Sequence, residues 1–428
     1  MKNLFTLTIL LCLSISAIAE PDSAKVKSKI FSDSSLYFPV QVSFLPGIST
    51  NGLESKNIKN NLSINIIAGY NGGVEGLEFG MFSNTIKNNV QGIQIAGFSN
   101  QVLGKTEGIQ AAGFSNFSKS NSNSVQLAGF ANTNMASSNG IQFAGFSNVV
   151  NGDFNGIQGS GFSNVIVGNA LAIQGAGFSN VVTGSLQGIQ VSGFTNTVTD
   201  TLDGIQVSGF VNISKEKISG IQISGFVNAA KKVDGYQLSG FVNAASEVTG
   251  SQVSFINIAK RYHQGAPIGF ISFVKEGFHC LEVSASETMY ANVSLKTGVE
   301  KFYNIFTGGY QPMGNSFAWS FGYGLGSFIK FNNGWGINTD FTASHISYDN
   351  KFEQNLNLLA SWQLELNYLI GSNFTIFGGA SLNGFFTSKF KPESSEFYDA
   401  IIPYKTYQFN DGVVKQIYYP GVTLGVRF

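Results

Sequence analysis

Cysteine is almost missing from this chain: Cys12 and Cys280 are its only two. Cys12 lies in a stretch that reads as a removable leader, so a single thiol remains and no internal disulfide framework is expected. Arginine is equally scarce, with Arg261 and Arg427 alone, which argues against forked recognition of phosphate. Charge of either sign is thin at 12%, and 25 Lys+Arg balance 25 Asp+Glu. A nucleic-acid partner calls for a basic face, so none is expected. No histidine precedes His263, which leaves the first half of the chain without an imidazole for metal or proton chemistry. After the leader, no apolar run approaches the roughly twenty residues of a membrane-crossing helix. Any membrane attachment must then be a β-barrel or peripheral.

Residues 1–19 have the order of a secretory signal. Lys2 supplies the basic start, Leu4–Ile15 the apolar stretch, and Ala17-Ile18-Ala19 the small residues before Glu20. Leu11 precedes Cys12 where a lipoprotein signal would carry a small residue.

What is abundant is glycine (51) and phenylalanine (39), and much of both sits in one phrase. Gly-Ile-Gln-x-Ala/Ser-Gly-Phe-x-Asn occurs in twelve copies between Gly76 and Asn257, mostly at a sixteen-residue step; Gly92–Asn100, Gly108–Asn116 and Gly188–Asn196 are clear examples. A short fixed period marks a solenoid or array. In Gly188–Asn196, Ile189 and Val191 alternate with Gln190 and Ser192 as in a strand. Gly193 then intervenes and Phe194 falls on the opposite parity, so the chain turns a corner there. Stacked coils place Phe on Phe and Asn on Asn, with amides able to bond along the row. Large apolar side chains seek burial, so the Phe row (Phe82, Phe98, Phe114 through Phe255) is expected inside. The Gln row (Gln94, Gln110, Gln142, Gln158) is the expected exposed strip. Leu62–Tyr70 reads as an apolar cap over the first coil, and Pro267-Ile268-Gly269-Phe270 as a last degenerate copy.

From about residue 279 a long two-residue alternation replaces the sixteen-residue period. Phe317, Trp319, Phe321, Tyr323 and Leu325 oppose Ala318, Ser320, Gly322, Gly324 and Gly326. Leu364, Leu366 and Tyr368 oppose Gln363, Glu365 and Asn367, and Val422, Leu424, Val426 and Phe428 oppose Gly421, Thr423, Gly425 and Arg427. An aromatic-rich apolar face against a small or polar one is the signature of a membrane barrel strand. Eight strands are predicted: 279–286, 289–297, 302–311, 317–331, 335–346, 356–370, 373–387 and 415–428. The connections 347–355 and 388–414 are long and the alternate ones short, which puts the long ones at the cell surface and the solenoid on the periplasmic side.

The repeat resembles the bacterial surface-repeat family of spirochaetes and Bacteroidetes-type bacteria, written G-[ILV]-Q-x-x-G-[FLI]-x-N, over residues 76–272. That resemblance implies an envelope or surface protein and no particular chemistry. The ending Val422, Leu424, Val426, Phe428 resembles the assembly signal of Gram-negative outer-membrane barrels. The Gln-x-x-Gly-x-x-Asn core is also similar to curlin amyloid repeats, though its period differs and curlins have no barrel.

The sequence assembles no catalytic constellation. His279 and Cys280 are adjacent, and neighbours on a strand point to opposite faces. Gly322-x-Gly324-x-Gly326 echoes a dinucleotide loop but lies inside an alternating strand with no helix after it. Asp153, Asp200, Asp203 and Asp234 lack the register of a calcium repeat. The sequence therefore predicts an all-β chain: signal peptide 1–19, an N-terminal segment and cap 20–75, a parallel β-solenoid of about twelve 15–16-residue coils over 76–272, and an eight-stranded antiparallel up-and-down barrel over 273–428. It is expected to be a non-enzymatic, monomeric outer-membrane protein without catalytic, cofactor-binding or metal residues. Its partners would be outer-membrane lipid and an envelope protein, peptidoglycan or glycan. The alternatives are a polysaccharide-acting β-helix enzyme and a curlin-like fibre subunit or adhesin.

Overall fold

The computed structural model describes residues 36–349, 352, 354, 356–371, 374–388, 407–410 and 414–428. The signal segment and most of the connection 388–414 lie outside the described residues. Nearly everything described is strand, arranged as a parallel β-solenoid of about fourteen turns followed by a closed eight-stranded antiparallel barrel. Among the described residues no helix is long and apolar enough to cross a membrane.

Each regular coil has a seven-residue strand and a four-residue strand, for example Val90–Ala96 and Ser99–Val102. The Gly97-Phe98 pair makes the corner between them, and the variable segment 103–105 makes the opposite corner. Successive coils pair in parallel with like residues in register, as in Gln142↔Gln158 and Asn148↔Asn164. At the Gly-Phe corner the backbones come so close that a Cβ on Gly193 would lie 2.2 Å from the Gly177 carbonyl oxygen. A side chain has no room there in the regular coils, and only the end copies depart from glycine, with Met81 before Phe82 and Ser254 before Phe255. At ~4.8 Å per coil, fourteen turns make a rod roughly 65 Å long.

The solenoid starts earlier than the repeat phrase does. Leu36–Leu45 already pairs in parallel with Ile58–Asn65. The segment expected as one capping strand, Leu62–Tyr70, is instead part of an ordinary coil, with strands Ile58–Asn65 and Ala68–Asn71 meeting at a corner. These coils lack the phrase, though buried amides link them too, as Asn65 Nδ2 donates to Asn84 Oδ1 at 2.8 Å.

The interior is divided in two. Beside the variable corner it is apolar, built on Val150, Ile166, Val182, Leu186, Val198 and Leu202. Beside the Gly-Phe corner it is polar, with two rows of buried amides. Gln110, Gln126 and Gln142 each donate from Nε2 to Oε1 of the Gln one coil earlier, at 2.7–2.8 Å. Asn100, Asn116 and Asn132 each donate from Nδ2 to Oδ1 of the Asn one coil later, at 2.9 Å. The Asn amides also donate to the backbone across the corner, as Asn164 does to Gly175 O at 2.8 Å.

The eight barrel strands are Phe278–Ser286, Ala291–Val299, Phe302–Met313, Ser316–Lys330, Trp335–Tyr348, Asn357–Ile370, Phe374–Thr387 and Lys415–Arg427. Each pairs antiparallel with the next, and the first closes on the eighth through Val283↔Val426. A short strand, Tyr407–Asn410, hangs on the eighth. Phe321, Leu325, Trp362, Leu364, Leu366, Val422 and Leu424 face outward and are exposed. Aromatic pairs mark the rim nearer the solenoid, Trp335 against Tyr368 and Phe374 against Phe428. Tyr310, Phe317, Trp319 and Phe321 mark the other.

Candidate interaction surface

The Phe row is outside the rod, not inside it. Phe82 through Phe241 form one stack of near-parallel rings with centroids 4.7–5.0 Å apart. Phe162 is 41% exposed and Phe194 41%. The Gln row expected at the surface is buried: Gln94, Gln110, Gln174 and Gln190 are at 0%. The alternation was legible and its sense was inverted. Amides repeating at one coil spacing satisfy one another, so their burial carries little penalty, whereas an unpaired polar group would be costly. With the corner interior already filled by amides, the rings are left outside.

Two further rows widen this apolar edge. Leu77, Ile109, Ile157 and Ile173 form one, and Phe79, Ile95, Leu127, Phe143, Val191 and Ile223 the other, all exposed. Small residues in the second row (Ala111, Gly159, Gly175) open a groove of about 780 Å³ beside Ile95, Leu127 and Phe143. A Cβ added at Gly175 would meet nothing within 4 Å.

The opposite corner carries the charge. Lys231 pairs with Glu216 at 2.7 Å, Lys232 with Glu247 at 3.1 Å and Arg261 with Glu276 at 2.5 Å. The ion-paired lysine and arginine hold the Glu247 and Glu276 carboxyls below their ordinary range. The Phe edge is apolar throughout, and the charge on the opposite corner is concentrated in the last coils, from Lys215 to Glu276.

One acid is buried within the solenoid. Glu78 stands where later coils have Gln, and accepts from Asn65 at 2.9 Å, from Asn71 at 2.5 Å and from Gln94 at 2.7 Å. Burial raises its pKa, against the pull of those donors.

The barrel lumen holds a cluster that the sequence reading did not assemble. Lys296 Nζ lies 2.5 Å from Glu282 and 2.6 Å from Asp340. Arg427 reaches Glu282 at 2.6 Å and Glu365 at 2.5 Å, and its guanidinium sits 4.2 Å from the centre of the Phe377 ring. Tyr303 donates to Asp340 at 2.5 Å. Among the described residues these three carboxylates form one group within 4.8 Å, and the two cations lie directly against it, which gives an ion-pair lock. Toward the other rim Met289, Met313, Tyr348, Phe385 and Tyr419 pack together, with a polar cavity of about 50 Å³ between the two plugs. An eight-stranded lumen filled by side chains is the usual outcome for that strand number. Gly326 leaves room for the Tyr303 ring, 2.2 Å from where its Cβ would be, so the glycine run serves packing inside a strand.

His279 and Cys280 face opposite ways. His279 points outward, with Nε2 2.5 Å from Val274 O, and Cys280 is buried on the lumen side. Their nucleophile geometry is therefore absent. No protein-family model, no characterised protein and no solved structure matches the chain.

Proposed function

We propose that this chain is a non-enzymatic, outer-membrane-anchored structural or interaction protein, with the barrel as anchor and the solenoid as its working surface. The observation that carries the reading is the barrel wall: exposed apolar residues on every strand, aromatic pairs at both rims and ion pairs inside. Polar inside and apolar outside is the arrangement stable in lipid and costly in water. The short turns at 300–301, 331–334 and 371–373 share a rim with the solenoid; the connections 287–290, 314–315, 349–356 and 388–414 share the other, the last two being the long ones. On the rule that long loops face outward, the solenoid belongs to the periplasmic side.

The curlin-like alternative finds little support at the rod's ends. The end of Leu36–Leu45 is folded over by an antiparallel strand, Ile48–Ser49, and the last coil is covered by the barrel, so both edges are obstructed for growth. The β-helix enzyme alternative needs free acids clustered on neighbouring coils; Glu216, Asp234, Glu247 and Glu276 are engaged by Lys or Arg, which leaves Glu107, Asp153, Asp200 and Asp203 among the described solenoid acids without an ion pair.

Cell fractionation tests the anchor: recovery as a soluble periplasmic monomer without detergent would refute it. Thiol labelling of intact cells, on a Cys280→Ala background, tests the side. Ser395→Cys should label and Ser185→Cys should not; strong labelling at position 185 would place the solenoid on the cell surface.

A further inference from the structure

The last coil meets the barrel from the side. Ile271 donates its backbone N–H to Phe255 O in the preceding coil. Along a strand, alternate residues direct their backbone groups to opposite neighbours. The carbonyls of Ser272 and Val274 therefore point out of the end of the stack, where a further coil would otherwise pair. Barrel side chains take them instead. Thr297 Oγ1 donates to Ser272 O at 3.0 Å, and His279 Nε2 lies 2.5 Å from Val274 O. Asn304 Nδ2 and Tyr323 OH donate to Gly269 O at 2.7 and 3.2 Å.

All four of these residues project from the outer wall of the barrel, by the alternation that sends Glu282, Lys296 and Tyr303 into the lumen. Thr297 and Asn304 are nevertheless buried, because the coil covers them. A stack whose end is capped by a barrel wall has its axis across the barrel axis, so the rod runs sideways from the wall.

The Phe edge is the one turned toward the middle of that wall. Phe270, the last ring of the row, stacks on Tyr323 at 4.7 Å and meets Phe306 edge-on at 6.1 Å. Phe306 and Tyr323 lie farther from the turn 300–301 than Thr297 and Asn304 do. The row of rings thus continues into the barrel's apolar belt. The half-inverted interior has the same logic. Amides inside and rings outside at the Phe corner repeat the lumen-and-wall arrangement of the barrel, while apolar inside and charge outside at the other corner suit water.

Resting on the reading that the barrel spans a membrane, we propose that the rod lies along the membrane surface at the short-turn rim. Its Phe edge is immersed among the acyl chains of that leaflet, and its charged edge faces water. The partner of the apolar edge is then the lipid surface itself, held as an interfacial amphipathic element is held, through a long apolar side with charge opposite.

The test uses the full mature chain on a Cys280→Ala background, reconstituted into phosphatidylcholine vesicles whose acyl chains carry a spin-label quencher. A thiol-linked fluorophore is placed at Gly175→Cys on the apolar edge, at Lys215→Cys on the charged edge, or at Val422→Cys on the barrel wall. Quenching several-fold stronger at positions 175 and 422 than at 215 is expected. Quenching at 422 with none at 175 leaves the anchor intact and overturns the immersed rod. No quenching at 422 removes the membrane reading and this one together. Disulfide-linked pairs through position 175 without lipid quenching would assign the apolar edge to a second copy and overturn the proposal.

Discussion

Replacing one buried amide in mid-rod should cost more than removing a phenyl ring from the same coil. Asn164 accepts from Asn148 at 2.8 Å and donates to Asn180 at 2.9 Å and to Gly175 O at 2.8 Å. Leucine there breaks all three bonds. Asn148 keeps a second acceptor in Gly159 O at 2.8 Å, but the Asn180 Oδ1 loses its donor in a fully buried site. One orphaned acceptor at about 1–3 kcal/mol and two lost bonds at about 0.5–1.5 kcal/mol each give roughly 2–6 kcal/mol for Asn164→Leu. Phe162 is 41% exposed and stacks on Phe146 and Phe178, both at 4.9 Å. Phe162→Ala forfeits about half of a buried Phe contribution plus part of two ring contacts, or about 1–2 kcal/mol in water. Hydrogen exchange of the detergent-solubilised full chain, read over residues 154–182, measures both local stabilities. A loss for Phe162→Ala equal to or above that for Asn164→Leu would mean that the ring is core and the inverted corner is wrong.

Gly193→Ala should destabilise its coil by about 1–3 kcal/mol through the backbone contact described above, while Gly175→Ala stays within about 0.5 kcal/mol; equal effects in the same exchange experiment would refute the close approach at the corner. Because the folded pKa of Glu78 is raised, its contribution to stability is complete below the ordinary glutamate value and is lost as pH rises through the folded value. Exchange protection of residues 58–100 should accordingly fall from mildly acid to neutral pH, and Glu78→Gln should flatten that dependence; an unchanged slope would remove Glu78 as its source. In the barrel, Arg427→Met takes the cation from buried Glu365 and leaves Glu282 with Lys296 alone, and should cost about 3–5 kcal/mol. A thermal midpoint in detergent equal to that of the parent chain would show that the lock is dispensable.

The barrel was legible because two-residue alternation with aromatics on one side is hard to produce any other way. The strand predicted at 335–346 is Trp335–Tyr348, and that at 356–370 is Asn357–Ile370. The coils were legible from the repeated Gly-Phe pair. What the alternation of Ile189, Gln190, Val191 and Ser192 does not carry is which face is inside. That depends on whether amides one coil apart satisfy one another, a property of the stack and not of the single strand. The lumen cluster was hidden for a related reason. Glu365 and Arg427 were visible as charges on an inward face, but their meeting with Glu282, Lys296 and Asp340 depends on the stagger of strands around the barrel, which no single strand encodes. The first coils, from Leu36, were missed because they pair without the phrase.

The two amide rows run in opposite senses, Gln donating toward the N-terminal end and Asn toward the C-terminal end. Each row is a line of aligned dipoles whose bonds polarise one another. Alone, such a line would build a field that grows with every coil, as the peptide dipoles of a helix do. Side by side and opposed, the two largely cancel, so adding or deleting a coil leaves the field at the ends of the rod almost unchanged. The positive end of the Gln row is closed by a carboxylate, Glu78, which accepts from Gln94 as an acid does at a helix start. A gene encoding this rod can therefore gain or lose whole coils by duplication or deletion without an electrostatic penalty that scales with length.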